Sequence, residues 1–382
     1  MDDDYNQVSN SIYGAQEMDT WAGIRLLSKK NLIWRLEISV NHRTFKIVDS
    51  QGIVTESGFF NLVSPRLTKS YLGKFFSYFD PAIIQFSDIV LKDTVSKVVS
   101  ESNIELIWSE TQFYAPILDE SVPRVIRSVN FEPAHVLAED SGVLRFLKFF
   151  LKILGERKAA RKVSLVTISP RDSAWYKEIS LNTVQTLPLR QLSYLVNHVK
   201  STTPDSNYFV VMGSTFEVRH NRRNLDYCLE TLAPALFEID PSISILIFGT
   251  RLPPNIRVPV NVQIVGFSQT YHEYLLKSLG VIVPYHGGAG MQSKVFEPLA
   301  LGVPLVANSK SIAGYPFLMD VHYLHAGSTQ EYVTQMVKLK NNTLLRQSLS
   351  GNSSELSKVL FSEKILEEGT SQILKATVVG LE

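Results

Sequence analysis

Residues 281–307 decide the fold, and they read VIVPYHGGAGMQSKVFEPLALGVPLVA. An apolar run ends at Pro284, and a Gly-rich loop follows it. Apolar side chains then recur at helical spacing, at Met291, Val295, Phe296, Leu299 and Ala300. Gly302 stands where a glycine ends a helix, and a second apolar run occupies 303–307. The stretch therefore predicts a strand, a Gly-rich loop, a helix and a strand, and such a loop presents backbone amides to a phosphate.

Two charged side chains follow the loop on the predicted helix. Lys294 precedes Glu297 by three positions, so both project from nearly one helix face. A cation suits a diphosphate, and a carboxylate suits the hydroxyls of a sugar or a ribose. The alternative is a surface ion pair worth roughly 0.2–0.5 kcal/mol. We expect both side chains to be functional and to lie outside the core.

The same stretch resembles the nucleotide-sugar-dependent glycosyltransferases of the GT-B fold, especially their retaining family four. The residues that match the family's pattern are Gly288, Gly290, Lys294, Glu297, Ala300, Gly302 and Pro304. The chain departs from the pattern at Ala289, where many members carry Glu, and at Gln292, where close relatives often carry Arg. The resemblance implies an α/β protein of two Rossmann-like domains with an interdomain cleft.

The resemblance also implies a donor site at the strand ends of the second domain. Its donor-binding residues would be Gly213, Ser214, Arg223, Gly249, Gly266, Phe267, Tyr285, His286, Gly287, Gly288, Ala289, Gly290, Met291 and Gln292. Lys294, the loop amides and one of Arg222 or Arg223 would stabilise charge as the sugar–phosphate bond breaks. Glu297 would hold the ribose. For the basic loop that contains both arginines, a solvated surface loop is the alternative.

Polar residues also follow predicted strands in the first half of the chain. Asp88 comes after the run 82–86, and a second polar segment follows the run 125–128. The carboxyl ends of strands face the ligand crevice in open α/β sheets, so Asp88 is a candidate catalytic base if the reaction inverts the sugar. A cap on the following segment is the alternative for Asn130 and Glu132, and an ordinary helix start is the alternative for Gly14 and Ala15. The acceptor-side candidates are Gly14, Ala15, Asn130 and Glu132.

Composition places the chain among globular α/β proteins of two domains. It has 382 residues, 45% of them hydrophobic and 20% charged. The formal charge of +1 gives no electrostatic case for a nucleic-acid partner. Cys228 is the only cysteine, so intramolecular disulfides are excluded and a reducing compartment is favoured. Its apolar helical setting indicates a buried thiol.

The predicted domains are residues 1–200 on the acceptor side and 201–360 on the nucleotide-sugar side. In this fold a last helix, here 361–382, commonly crosses back to the first domain. No uninterrupted apolar stretch reaches the roughly 20 residues that span a bilayer. Residues 2–4 are acidic, the opposite of a signal peptide's start, so we expect a cytoplasmic protein.

The segment 141–162 is a predicted helix in which basic residues interrupt apolar ones. A basic amphipathic helix can lie on an anionic membrane surface. The apolar positions here, however, wrap around more than one face. Peripheral membrane contact and a helix packed between sheet and solvent are the open alternatives.

Together these features predict a glycosyltransferase that moves a sugar from a UDP-, GDP- or dTDP-sugar to a hydroxyl of a polysaccharide, glycolipid or glycan acceptor. The resemblance implies retention of configuration, with the leaving phosphate accepting the proton. We expect no cofactor and no metal, since no Asp-x-Asp metal motif is visible beyond the acidic run at residues 2–4. A nucleotide-sugar epimerase and a non-catalytic GT-B binding subunit are the alternatives, and Ala289 and Val129 would favour the latter.

Overall fold

The computed structural model describes residues 15–39, 42–60, 88–140, 142–179, 184–196, 206–287, 291–312 and 314–379. They divide into two compact units. The C-terminal unit comprises the described residues up to Trp21 with Pro188–Leu366, and the N-terminal unit comprises Ala22–Leu187 with those from Glu367 onward. The predicted boundary near residue 200 lies outside the described residues, and the division falls at Leu187 and Pro188. The described residues up to Trp21 and those of 188–196, which the sequence predicts in the first domain, belong to the C-terminal unit.

The N-terminal unit contains two sheets among its described residues. Strands β1 (Arg35–Ser39), β2 (Thr44–Val48) and β3 (Val54–Phe59) are antiparallel and adjacent in that order. Strands β4 (Ile107–Ser109), β5 (Arg124–Ser128), β6 (Ser164–Thr167) and β7 (Val184–Thr186) form a parallel sheet in chain order. The helices are α1 (Ala15–Ser28, shared with the C-terminal unit), α2 (Ile89–Glu101), α3 (Glu132–Glu139), α4 (Leu144–Ala159) and α5 (Pro170–Ile179), with a 3-10 helix at Gln112–Ile117.

Short turns connect the strands of the antiparallel sheet. The turn before β2 holds Arg43 at a φ of 54°, and the turn before β3 holds Gly52 at a φ of 89°. Such short turns join antiparallel strands, whereas parallel strands need a long crossover. The predicted strand at 82–86 lies outside the described residues.

The C-terminal unit is built on one six-stranded sheet. Its strands are β8 (Tyr208–Thr215), β9 (Ser244–Thr250), β10 (Val262–Gly266), β11 (Gly280–Val283), β12 (Leu305–Ala307) and β13 (Leu324–His325). Its helices are α6 (Leu192–Leu195), α7 (Arg219–Tyr227), α8 (Ala233–Ile239), α9 (Tyr271–Lys277), α10 (Ser293–Ala300), α11 (Thr329–Asn341), α12 (Thr343–Phe361) and α13 (Glu363–Val379), the last of which continues into the N-terminal unit. A π-helical turn, Cys228–Leu232, joins α7 to α8, and a 3-10 helix follows β12 at Ser309–Ile312.

The strand order is β10-β9-β8-β11-β12-β13, and every pair is parallel. This is the doubly wound Rossmann order, and its topological switch point lies between β8 and β11. All four residues of β11 are buried, as expected for a strand covered on both faces. The predicted strand, helix and strand of residues 281–307 are confirmed as β11, α10 and β12, and residues 288–290 of the predicted loop lie outside the described residues.

Candidate functional site

The switch point brings two polar side chains together. Asn221 lies on α7, which follows β8, and Lys294 lies on α10, which follows β11. The Lys294 Nζ donates to Oδ1 of Asn221 at 3.4 Å. Ligands of open α/β sheets bind at this point, outside the carboxyl ends of the strands. Lys294 therefore lies at the edge of the sheet where ligands bind in proteins of this fold.

The charge of Lys294 is not balanced by a carboxylate. Its side chain packs beside the buried Cys228, and burial lowers the pKa of Lys294 to about 8. Its hydrogen-bond partner Asn221 is neutral, and no carboxylate within the described ranges forms an ion pair with it. The burial of Cys228 raises the pKa of its thiol to about 12, so this neighbour is also neutral. A desolvated cation among neutral groups favours the binding of an anion.

Glu297 is buried, with 4% of its surface exposed. Its Oε1 accepts from Nε2 of Gln191 and its Oε2 accepts from Oη of Tyr271, both at 2.8 Å. Burial raises the pKa of Glu297, and the two hydrogen bonds oppose that rise. The prediction that Glu297 lies outside the core is therefore wrong, because α6 and α12 pack on α10. The carboxylate accepts from these two neutral donors rather than from Lys294.

A cavity of about 140 Å³ lies at the carboxyl ends of β11, β12 and β13. Two phenols in its wall are fixed by hydrogen bonds. Oη of Tyr332 donates to the carbonyl of Val283 at 2.9 Å, and Oη of Tyr227 lies 3.0 Å from Oγ1 of Thr329. The cavity is thus a preformed polar recess at the ligand edge of the sheet. Its lining residues are Tyr227, Tyr285, His286, Asn308, Gly327, Ser328, Thr329 and Tyr332.

His286 lies between this cavity and Arg223, which belongs to helix α7 rather than to a loop as predicted. Its ring centroid lies 4.7 Å from that of Tyr227, with the planes tilted by 49°. Burial and the charge of Arg223 lower the pKa of His286, so the imidazole is neutral near pH 7. Arg223 itself is exposed. The structure therefore places the predicted donor residues Tyr285, His286 and Arg223 at one edge.

Two predicted donor-binding glycines have a packing role. A Cβ on Gly213 would lie 2.6 Å from the ring of Phe216, and one on Gly249 would lie 2.5 Å from the same ring. The Gly249 Cβ would also lie 3.0 Å from the Gly213 carbonyl. The buried Phe216 ring occupies the space beside these two glycines, and their donor-binding assignment stays a prediction.

Gly266 and Ser214 have different surroundings. Gly266 has a φ of 79°, and a Cβ there would meet nothing within 4 Å, so its backbone is open to a ligand. Phe267 beside it is 46% exposed. The Ser214 hydroxyl accepts from Nδ2 of Asn221 at 3.1 Å and so helps to orient the partner of Lys294. These three residues remain consistent with the donor assignment.

The Gly-rich loop is described on both of its sides. Tyr285 has the ammonium of Lys310 5.9 Å from its ring centroid, and Gly287 has a φ of 115°. Met291 is buried, which gives it a packing role, and the Gln292 carbonyl accepts from the Val295 amide at the start of α10. The predicted residues Gly288, Ala289 and Gly290 lie outside the described residues.

Two predicted catalytic residues have structural partners. Nε of Arg222 donates to Oδ1 of Asp226 at 2.7 Å, one turn further along α7. Asp88 is the N-cap of α2, and its Oδ1 accepts from the Leu91 amide at 2.9 Å. Asp88 is 6% exposed. Its assignment as a catalytic base is corrected to a helix cap, the role that satisfies an otherwise unpaired amide.

The acceptor-side candidates are only partly described. The Asn130 carbonyl accepts from Nε2 of Gln112 at 3.0 Å. Oε2 of Glu132 lies 3.3 Å from Nζ of Lys152, an ion pair between α3 and α4. Gly14 lies outside the described residues, and Ala15 begins α1. Within the described ranges, no group of three or more His, Cys, Asp or Glu side chains is placed to hold a metal ion.

Several site residues were missed by sequence reasoning. Asn308 directly follows β12, the same signal that drew attention to Asp88, and it could have been found. Asn221, Gln191 and Tyr271 reach the site from distant parts of the chain. Gln191 is 106 positions from Glu297, and no local pattern reports such a contact.

Solved structures share this fold at low sequence identity. Anabaena HepE in complex with UDP and glucose has a TM-score of 0.57 and 14% identity, over 74% of this chain and 81% of that one. S. aureus TarM, solved with UDP and α-GlcNAc-glycerol, has a TM-score of 0.60 and 12% identity, over 88% and 68%. WaaG, described as a glycosyltransferase involved in lipopolysaccharide biosynthesis, has a TM-score of 0.51 and 15% identity, over 80% and 84%.

These similarities concern the fold. The chain is an α/β protein with the fold of GT-B glycosyltransferases, which consist of two Rossmann-like domains. No protein-family model matches the sequence, and no curated protein matches it.

Proposed function

We propose that the chain is a glycosyltransferase that moves a sugar from a nucleotide-sugar donor to a hydroxyl acceptor. One observation carries the proposal: at the switch point of a GT-B fold, Lys294 holds a desolvated ammonium that pairs with no carboxylate of the described residues. A diphosphate supplies the missing negative charge. The solved structures of HepE and TarM, which share this fold, hold UDP, which supports a nucleoside diphosphate as the anion.

In the proposed reaction the bond between the sugar's anomeric carbon and the diphosphate oxygen breaks, and the bond to the acceptor oxygen forms. Negative charge develops on the leaving phosphate, where Lys294 stabilises it more strongly than in the ground state. The acceptor's proton passes to a phosphate oxygen on the same face of the sugar, which retains the configuration. The corrected role of Asp88 supports this route over one with that residue as base.

Glu297 takes part in the proposal as the residue that holds the ribose. Each carboxylate oxygen can accept more than one hydrogen bond, so hydroxyls can be added to the bonds from Gln191 and Tyr271. Those two donors fix the carboxylate in position before the donor arrives. Gly266, with its open backbone, is the proposed contact for the base.

The wider setting is also a proposal. WaaG, which shares the fold, is involved in lipopolysaccharide biosynthesis, and this supports a glycan or glycolipid acceptor at the cell surface. A chain with one cysteine fits the cytoplasm. Metal independence follows from the use of Lys294 and neighbouring amides as charge stabilisers.

A panel of UDP-, GDP- and dTDP-sugars tests the proposal, with calorimetry for binding and nucleotide release for slow hydrolysis of the donor. We expect one nucleotide to bind and its sugar to be released. Lys277 lies on the exposed side of α9, so Lys277→Met is the matched control for Lys294→Met. If the folded protein binds no member of the panel, the proposal fails.

A further inference from the structure

Helix α4 directs several of its charged side chains toward the protein, unlike an ordinary surface helix. Its charged residues Lys148, Lys152 and Glu156 face the protein and have partners there. Lys148 pairs with Asp140 at 2.6 Å, Lys152 pairs with Glu132 at 3.3 Å, and Glu156 accepts from Tyr176 at 2.6 Å. A surface helix normally turns its apolar stripe inward and its charges outward. Ile153 packs against the core of the unit, but the exposed apolar side chains of α4 need another explanation.

Those apolar side chains form one exposed stripe on the outer side of α4. The spacing from Val143 to Leu154 follows the helix repeat, and the stripe is about 16 Å long at 1.5 Å per residue. Isolated exposed apolar residues are common, but a contiguous set of this size marks an interaction surface. Its members and their exposed fractions are Val143 84%, Leu144 55%, Phe146 55%, Leu147 47%, Phe150 56% and Leu154 46%.

The same outer side becomes basic at its C-terminal end. Arg157, Lys158 and Arg161 continue the stripe by helical spacing, and all three are exposed. The segment 142–162 contains one acidic residue, Glu156, which is buried at 1% exposure. Every exposed charge on the segment is therefore positive.

These charges indicate which partner covers the stripe. A second copy would bring a face with exposed charges of one sign against itself. An anionic lipid surface offers hydrocarbon for the apolar residues and phosphates for the cations. No helix in the described ranges is long and apolar enough to cross a membrane.

We propose that the outer face of α4, residues 143–161, docks the protein on the surface of an anionic lipid bilayer. The apolar residues enter the boundary between head groups and acyl chains, and the cations at the end of the stripe contact lipid phosphates. This inference uses no residue of the donor site. It stands or falls separately from the proposed function.

Flotation of the full chain with vesicles tests it, using phosphatidylcholine alone and mixed with phosphatidylglycerol. We expect binding to the anionic vesicles that weakens with salt, because the field of exposed charges is screened. The double variant Phe146→Ser/Phe150→Ser should bind about tenfold more weakly, since it removes two aromatic side chains that would enter the bilayer. Arg157→Ser/Lys158→Ser should remove much of the salt dependence.

The matched control is Leu344→Ser/Val359→Ser on α12, which changes two residues that are 78% and 66% exposed. It should bind vesicles like the parent chain. Unchanged melting and unchanged donor binding of the α4 variants show that they are folded. The proposal is overturned if anionic vesicles do not bind the parent chain, or if Phe146→Ser/Phe150→Ser binds them as well as the control variant does. It is also overturned if light scattering shows a dimer in solution that Phe146→Ser/Phe150→Ser dissociates.

Discussion

Polar residues gather at the carboxyl ends of both parallel sheets, but the two sets differ in how their charges are balanced. In the N-terminal unit, Arg127 lies 3.6 Å from Glu110, and Glu132 pairs with Lys152. In the C-terminal unit, Lys294 is left with a neutral partner. Polar strand ends alone therefore do not identify a ligand site. A buried charge without an opposite charge beside it does identify such a site, because its desolvation destabilises the fold unless a bound ligand offsets that cost.

The largest effect on stability is expected when a buried cation of the C-terminal unit loses a carboxylate partner. Arg190 is 1% exposed, and its Nη2 donates to Oδ2 of Asp19 at 3.2 Å. Asp19→Asn leaves that charge buried, which costs about 3–5 kcal/mol. Hydrogen exchange of amides in 188–196 should report the loss. Glu217→Gln, which breaks an exposed pair with Arg251, should change exchange in the same unit little.

Removal of the unbalanced cation should harm turnover and spare stability. Lys294→Met should lower turnover by about 10²–10³, the effect of losing one group that stabilises transition-state charge. Its melting temperature should not fall, because the variant removes a desolvated charge from the unit. Turnover and melting are measured together on Lys294→Met and Lys277→Met. Equal losses of turnover in the two variants would contradict the comparison.

The N-terminal unit contains a buried acid whose protonation should control its stability. Burial raises the pKa of Glu156 from 4.5 to about 7, nearby Glu132 adds to the rise, and the bonds from Tyr176 and Gln112 oppose it. The folded state therefore holds the proton more tightly than the unfolded state. The contribution of Glu156 to stability is therefore greatest below about pH 4.5 and falls as pH rises to about 7. At about 1.4 kcal/mol per pH unit, the fall is about 3 kcal/mol.

Glu156→Gln should remove this pH dependence, because the amide does not titrate. Hydrogen exchange in β5, followed between about pH 5 and pH 7.5 and corrected for intrinsic rates, compares the two chains. Parallel profiles for parent and variant would show that Glu156 does not cause the effect. Glu132→Gln is a useful second variant, since it removes the neighbouring charge and should lower the pKa of Glu156.

The smallest effect is expected at Glu297. Glu297→Gln can still accept from Gln191 and donate to Tyr271, so the core should tolerate it. The bonds to the donor's ribose lose their charge-assisted part, roughly half of their strength. At about 1 kcal/mol per neutral bond, the dissociation constant of the donor should rise by about fivefold. Calorimetry measures this, and unchanged affinity would remove Glu297 from the proposed donor site.

The sequence predicted local structure better than it predicted which distant residues contact each other. The strand, helix and strand of 281–307 follow from glycine placement and apolar periodicity, which are local, and they are confirmed. The roles of Gly213 and Gly249 depend on the ring of Phe216, and the burial of Glu297 depends on Gln191. Those contacts join distant segments. Asp88 shows the same limit, since a residue after a strand and before a helix can be either a ligand contact or a cap.

The most direct test of the central claim is proton uptake at Lys294 when the donor binds. Burial lowers the pKa of Lys294 to about 8 in the free protein, and a bound diphosphate should raise it again. Calorimetry at about pH 8.5, in buffers of different ionisation enthalpy, should show that binding of the sugar nucleotide takes up protons and that affinity is lower than at about pH 7. Lys294→Met should show no uptake. Binding of equal affinity at both pH values, without proton uptake in the parent chain, would contradict the account.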